Sequence, residues 1–360
     1  MDASVSDQSA ASPLTVGIVG IGGIGSKHAR ALREVPGVVL DAYSGGTPSS
    51  GADAGWPQAR QVQHRELVER PDVDVVAICS PSHLHGPAAL AVARAGRHVV
   101  VEKPMALTTD EADELVRLQD AGRCVVAVVT QRRFEPVVTA LKAMLDGGGL
   151  GQVRLVVAQM PWHRDEAYFE AAPWRGEAAS GGGSLLNQGV HLIDLVQWLC
   201  GPVATVTAQA GTQVGARTAE DTTVATLAFR SGAFGMLATS TATPPGHDAT
   251  LAIYTDRGML EMTQGVITQW QLPGAPPQAG SAVPGGGADP GAIGLAGHRA
   301  FWSDVAAAIR EGSLPAVDAH EGARTTALLC AIGEAARTGA TALVHGADPS
   351  RGAAAPNQGV

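Results

Sequence analysis

Residues 16–30 read VGIVGIGGIGSKHAR, an apolar run broken by Gly20, Gly22 and Gly25 just where a helical pattern begins. A G-x-G-x-x-G spacing between a buried strand and a helix admits few folds. Gly20 permits the tight turn out of the strand, Gly22 lets the backbone approach a pyrophosphate, and Gly25 lets helix and strand pack closely. Gly23 and Ile24 are further cofactor-binding candidates, and the free N–H groups at the start of the following helix, with the positive end of its dipole, face the phosphates. The stretch marks a dinucleotide-binding turn.

A chain of 360 residues has room for two domains and sizeable cores. The formal charge of −9 argues against nucleic acid or an anionic membrane as partner. Cys79, Cys124, Cys200 and Cys330 are far apart and form no metal or redox spacing, so reduced thiols in a cytoplasmic protein are expected, with no metal site. Residues 1–13 lack a signal-peptide pattern, and no apolar run reaches membrane-spanning length.

After a polar tail at 1–13, helical periodicity at 27–35 is followed by a strand at 38–43 and a loop at 44–57. Further strands are predicted at 73–79, 98–101 and 124–130, with helices ending at 67–70 and spanning 87–95 and 111–119. Strands alternating with helices predict a doubly wound parallel sheet, placing a dinucleotide-binding Rossmann domain at 14–133. Beyond a helix at 137–145 the pattern changes. Apolar runs at 153–159, 203–214, 222–229, 233–240, 250–254 and 266–271 are separated by turns rather than helices. They predict a C-terminal α/β domain, 134–345, on a large open, mostly antiparallel sheet. One helical segment, 185–199, interrupts the runs; a Pro/Gly-rich loop covers 272–296, helices lie near 299–310 and 322–337, and a loose tail fills 346–360.

Three further clusters carry chemistry. The stretch CSPSHLHG (79–86) leaves a parallel strand at its carboxyl end, where such sheets bind ligands. Ser80 and Pro81 can border the cofactor there, and His85 either lines the loop or belongs to a structural turn. Glu102-Lys103-Pro104 follows the next strand and faces the same crevice; its X-Pro bond is a candidate for cis. In SGGGSLLNQGVHLID (180–194), helical spacing puts Asn187, His191 and Asp194 on one face, with Leu186, Val190 and Ile193 toward the core. Gly181, Gly182 and Gly183 let the backbone approach a ligand, and Ser184 is the predicted N-cap. A polar stripe on an otherwise apolar helix fits a ligand cavity.

In this order and spacing, the glycine loop, Ser80-Pro81 with His85, Glu102-Lys103-Pro104 and residues 181–194 resemble the Gfo/Idh/MocA oxidoreductases, the glucose–fructose oxidoreductase and inositol dehydrogenase family. The resemblance runs over about residues 14–345, including 298–304 and 315–322. It implies a Rossmann domain, a C-terminal domain for substrate binding and oligomerisation, and a homodimer or homotetramer packed through the sheets. It also implies NAD or NADP as cofactor and hydride transfer between nicotinamide and a sugar or cyclitol carbon. Lys103 and His191 match the family's catalytic lysine and histidine; Asn187 stands where Asp is commoner, Asn occurring among relatives acting on nucleotide sugars.

Two departures stand out. The acid that would bind the adenosine ribose is missing, its place falling at Ser44-Gly45; Asp41 sits mid-strand, and no arginine follows to receive a 2′-phosphate. The family resemblance alone favours NAD. Asn187, in turn, supplies no negative charge to hold His191 protonated.

The expected activity is NAD(P)-dependent interconversion of a secondary alcohol and a ketone on a sugar, nucleotide sugar or cyclitol. His191 would take the hydroxyl proton, Lys103 would hold the same oxygen or itself act as base, and Asn187 would orient substrate or imidazole. Tyr168, Trp174 and Arg175 are candidates for the sugar-facing wall, arginine suiting a phosphate or carboxylate; ordinary sheet-edge packing is the alternative. The scaffold leaves two other readings: a redox-cycling lyase or glycosidase, and a non-catalytic nucleotide sensor, against which Lys103 and His191 both speak.

Overall fold

The computed structural model describes residues 12–277 and 294–346. The expected tails up to residue 11 and from 347, and 278–293 of the Pro/Gly-rich loop, lie outside the described residues. Strands β1 (Leu14–Val19), β2 (Val38–Ser44), β3 (Arg60–Gln61), β4 (Val75–Ile78), β5 (His98–Val101) and β6 (Val126–Val128) form a parallel sheet in the order β3-β2-β1-β4-β5-β6. Helices cover both faces, which is why β4 and β5 read VVAI and HVVV and are almost wholly buried. The strand order reverses between β1 and β4, and a crevice opens at their carboxyl ends. The helix entering from the glycine turn is Gly23–Leu32 and starts earlier than its apolar periodicity shows.

The second sheet contains β7 (Val153–Pro161), β8 (Val203–Gly211), β9 (Thr222–Phe229), β10 (Phe234–Ser240), β11 (Thr250–Thr255), β12 (Gly258–Thr263), β13 (Val266–Gln271) and β14 (Ala342–Leu343). Their order is β13-β12-β11-β7-β10-β9-β8-β14, antiparallel throughout except that β7 and β10 run parallel. The expected strand 203–214 stops at Gly211 because the Asp221 carboxylate accepts the N–H groups of Gln213 and Val214 and turns the chain. One face packs on the helices Val190–Cys200 and Ala319–Thr338; the other leaves Leu155, Val224, Phe234, Met236 and Tyr254 exposed.

One late segment crosses back. The helix Ala296–Glu311 buries Phe301, Trp302, Val305 and Ala306 in the same core as Leu32 and Tyr43. The N-terminal core is therefore not built from residues 14–133 alone, and this return carries His298 to the crevice.

Candidate active site

A cavity of about 820 Å³ lies between the carboxyl ends of the parallel strands and the π-turn that leads into Val190–Cys200. Gly20, at φ +90°, turns the chain where a Cβ would sit 2.9 Å from the Cys79 carbonyl oxygen. The Ser44 carbonyl accepts from the N–H groups of Gly20 and Ile21 at 3.2 and 3.0 Å and pins the turn to the end of β2. A Cβ on Gly22 or Gly23 would meet nothing within 4 Å, since both open onto the cavity beside Ile24. No side chain caps this helix, so its first N–H groups stay available for an anion. Room and polarity both fit a dinucleotide pyrophosphate. Gly25 is not among the residues lining the cavity: a Cβ there would lie 2.1 Å from Gly20 O, so its part in the fingerprint is close packing beneath the turn.

Ser44, Gly45 and His64 line the end beside β2. Asp41 accepts from Arg60 at 2.7 Å and from Arg70 at 3.3 Å, which occupies the acid nearest the ribose position. Ser80, Pro81 and Glu102 border the crevice as expected. His85 reaches it too, but its Nδ1 and Nε2 each lie 2.8 Å from a carbonyl, of Pro104 and Ser80, so it ties two strand ends together. Burial lowers its pKa.

Lys103 follows β5, and its bond to Pro104 is cis. Its Nζ donates to the main-chain carbonyl of Asn187 at 2.8 Å, leaving two N–H groups for a ligand. Burial, with the charge of Arg175, draws its pKa down. Neighbouring Glu102 accepts from His28 Nε2 at 2.9 Å and from the Lys103 N–H at 3.1 Å. Burial would raise the Glu102 carboxyl, but the His28 hydrogen bond and nearby positive charge outweigh it and hold the pKa at about 2. Trp302 Nε1–H donates to His28 Nδ1 at 2.9 Å, so the His28 proton sits on Nε2. His28, Glu102 and His298 are close enough together to suggest a metal centre, but both His28 nitrogens are already in use. His298 is fully buried, lines the cavity, and has no hydrogen-bond partner for either ring nitrogen among the described residues.

The third cluster departs from a regular helix. Ser184–Gly189 is a π-helical turn that runs directly into the α-helix Val190–Cys200. Ser184 is not an N-cap. The Glu220 carboxylate does that work from another strand connection, accepting from the N–H groups of Ser184 and Leu185 and from Ser184 Oγ. Wider π spacing turns Asn187, Gln188 and His191 into the cavity together. Asp194 does not join them: it accepts from Arg133 at 2.6 and 2.9 Å and from Thr325 at 2.9 Å, a buried group behind the cavity wall.

His191 has no hydrogen-bond partner among the described residues. Burial, followed by the charges of Lys103 and Arg132, holds its pKa well below the usual histidine value, so it stands neutral. Opposite, the Tyr168 hydroxyl accepts from Asn187 Nδ2 at 3.2 Å and from Gln188 Nε2 at 2.6 Å, leaving its own hydrogen to donate. Arg175 lies over the Tyr168 ring at 4.2 Å and donates to the Tyr168 carbonyl, and Trp174 lines the cavity beside it. All three candidates for the sugar-facing wall thus reach the cavity.

Residues 14–130 match an oxidoreductase family with an NAD-binding Rossmann fold, and residues 138–261 match a GFO/IDH/MocA C-terminal domain. The chain belongs to the Gfo/Idh/MocA oxidoreductases. Among curated Gfo/Idh/MocA relatives, it is 26% identical to the myo-inositol 2-dehydrogenase of Thermotoga maritima, over 69% of this chain and 74% of that one. It is 30% identical to the scyllo-inositol 2-dehydrogenase (NADP(+)) IolW of Bacillus subtilis, over 54% of each. Among solved structures, the WlbA dehydrogenase of Bordetella pertussis, in complex with NADH and UDP-GlcNAcA, superposes at a TM-score of 0.80 and 29% identity, covering 92% of this chain and 98% of that one. This Gfo/Idh/MocA chain is therefore a nicotinamide-dinucleotide-binding oxidoreductase of the sugar, inositol and nucleotide-sugar dehydrogenase type.

Sequence reasoning missed several residues of this Gfo/Idh/MocA site. Lys27, Gln131, Arg132, Trp162, Arg164, Gln188 and His298 also line the cavity. Gln188 was hidden by assuming α spacing. His298 and Arg132 sit on segments whose only local signal is helical periodicity or a polar turn.

Proposed function

We propose that the protein is an NAD-dependent dehydrogenase or ketoreductase acting at a secondary alcohol or ketone carbon of a sugar, nucleotide sugar or cyclitol. The observation that carries this is the meeting, in one cavity, of the open Gly22–Gly23 cradle, the Lys103 ammonium and a neutral, unpartnered His191. When bound, the nicotinamide supplies the hydride acceptor. Gly22, Gly23 and Ile24 hold the pyrophosphate, and Ser80, Pro81 and Glu102 border the rest of the cofactor. His191 takes the hydroxyl proton as the C–H bond gives up its hydride. Lys103, with two free N–H groups, steadies the oxygen as its charge grows. Asn187 and Gln188 fix Tyr168, whose hydroxyl hydrogen is free to orient the sugar. NAD is preferred over NADP in this reading, because Arg60, on the strand beside β2, is paired with Asp41 and does not line the cavity. Two copies would pair through the open face of the second sheet, an apolar patch whose burial would appear as a dimer or tetramer in light scattering.

The test is Lys103→Met. Its kcat should fall by about a hundredfold or more, as for loss of an oxyanion-stabilising or acid–base group. NADH affinity, read by fluorescence titration, should change far less. Normal turnover in this variant places Lys103 outside the chemistry.

A further inference from the structure

Glu102 is the one carboxylate among the described residues lining the cavity, and it is already bonded to His28 and to the Lys103 N–H. Asn187 adds no second one; its amide goes to Tyr168. Facing this single acid are Lys103, Arg132 and Arg175, and none of the three ion-pairs with a carboxylate within 4.0 Å among the described residues. Arg132 donates only to the neutral amide of Gln264, at 3.2 Å. Arg175 lies over the Tyr168 ring and donates one Nη1–H to the Tyr168 carbonyl, which leaves the rest of its planar fork open. These groups repel one another: beyond burial, the charge of Arg175 lowers the Lys103 pKa, and the charges of Lys103 and Arg132 lower that of His191. The pyrophosphate is received at the Gly22–Gly23 helix start, whereas Arg175 comes from the turn Pro173–Gly176, outside the parallel-sheet domain. Glu102 offsets part of the charge on Lys103, and Glu135 part of that on Arg132, but no carboxylate among the described residues pairs with either guanidinium, and positive charge left in excess in a half-buried site calls for an anion on the ligand.

Building on the dehydrogenase reading above, we infer that the sugar oxidised here carries an anionic group, a carboxylate or a phosphate ester, gripped by Arg175 with Arg132 in support. Arginine suits either group, since both present two oxygens to its fork. The same anion screens Lys103 and His191 from the two guanidiniums once the substrate is seated.

The experiment compares sugars paired with and without an anionic group: glucuronate against glucuronamide and glucose 6-phosphate against glucose, each also as the N-acetylamino sugar, and the glucuronate pair also as UDP-sugars, with myo-inositol as a neutral cyclitol. NAD reduction is followed in the wild-type chain, Arg175→Met, Arg175→Lys and Arg132→Met. At least one anionic member should exceed its neutral partner in kcat/KM by about a hundredfold, mostly through KM, as for a charge-assisted bidentate contact. The carboxylate and phosphate arms show which anion is taken. That ratio should collapse to within about fivefold in Arg175→Met and recover in part in Arg175→Lys, which keeps the charge but not the fork. NADH titration of each variant confirms an intact cofactor site; if Arg175→Met loses it, the ratio is read from the other two. Turnover of neutral sugars at equal or better kcat/KM overturns this inference while leaving the dehydrogenase reading in place, as does a ratio that survives both methionine variants. Failure of every sugar to turn over nicotinamide counts against both.

Discussion

Replacing Asn187 by aspartate should move the pH at which the enzyme becomes active. In the wild-type chain burial and the charges of Lys103 and Arg132 hold His191 neutral far below the usual histidine pKa. A carboxylate at position 187 opposes that. Tyr168, which now accepts from Asn187, can turn its hydrogen to the new carboxylate and help keep it ionised. Residues four apart on an α-helix lie about 6 Å from each other, and the π-turn keeps Asn187 and His191 on the wall of one cavity, so about 6 Å is taken as the separation. At an effective dielectric of about 20, unit charges at that distance attract by about 3 kcal/mol, equivalent to about 2 pKa units. Solvent in the open cavity weakens this, so a rise of about one unit or more in the His191 pKa is the working figure. Because a general base works only when deprotonated, the acid limb of kcat/KM should shift to higher pH by that amount. The assay is NAD-dependent oxidation from the lowest pH at which the fold persists up to about pH 9, with the profile repeated in Asn187→Asp/His191→Ala. The shift should vanish in the double variant, leaving whatever slow rate Lys103 supports. An unmoved acid limb, together with near-normal activity in His191→Ala, would refute the assignment and make Lys103 the base.

Gly22→Val should abolish dinucleotide binding in calorimetry with little change in Tm, since its Cβ enters open cavity, whereas Gly25→Val should lower Tm because its Cβ meets Gly20 O at 2.1 Å; the opposite pattern would reverse the two glycines' roles. His298→Leu removes a buried imidazole with no partner, so the ligand-free protein should gain about 1 kcal/mol or more, a rise of about 2–4 °C in Tm, while NADH affinity falls. A lower Tm with unchanged affinity would show that His298 serves packing alone. Asp194→Ala strands a buried guanidinium that Glu321 only partly satisfies, and should cost at least about 2 kcal/mol in denaturant unfolding. A smaller loss would mean that Glu321 suffices.

The sequence by itself determined the elements whose signals are local. The glycine fingerprint, the buried VVAI and HVVV runs and the regular alternation to about residue 133 specify the Rossmann sheet through backbone geometry and burial that act over a few residues. Lys103 and His191 were legible for the same reason, one ending a parallel strand and the other on an apolar helix. Tertiary structure decided the rest. β12 and β14 were missed because one follows a two-residue turn without a composition change, and the other is two residues long and exists through its pairing with β8. Helical spacing placed Asp194 beside His191; the π-turn, fixed by Glu220 more than thirty residues away, rotates Gln188 into the cavity instead, while Asp194 pairs with Arg133 from the end of the first sheet. His298 becomes part of the site because Phe301 and Trp302 bury themselves in the N-terminal core and draw the whole helix back across the crevice. Local sequence sets which backbone conformations are cheap, but partners distant in the chain decide which polar groups are left facing one another across a cavity.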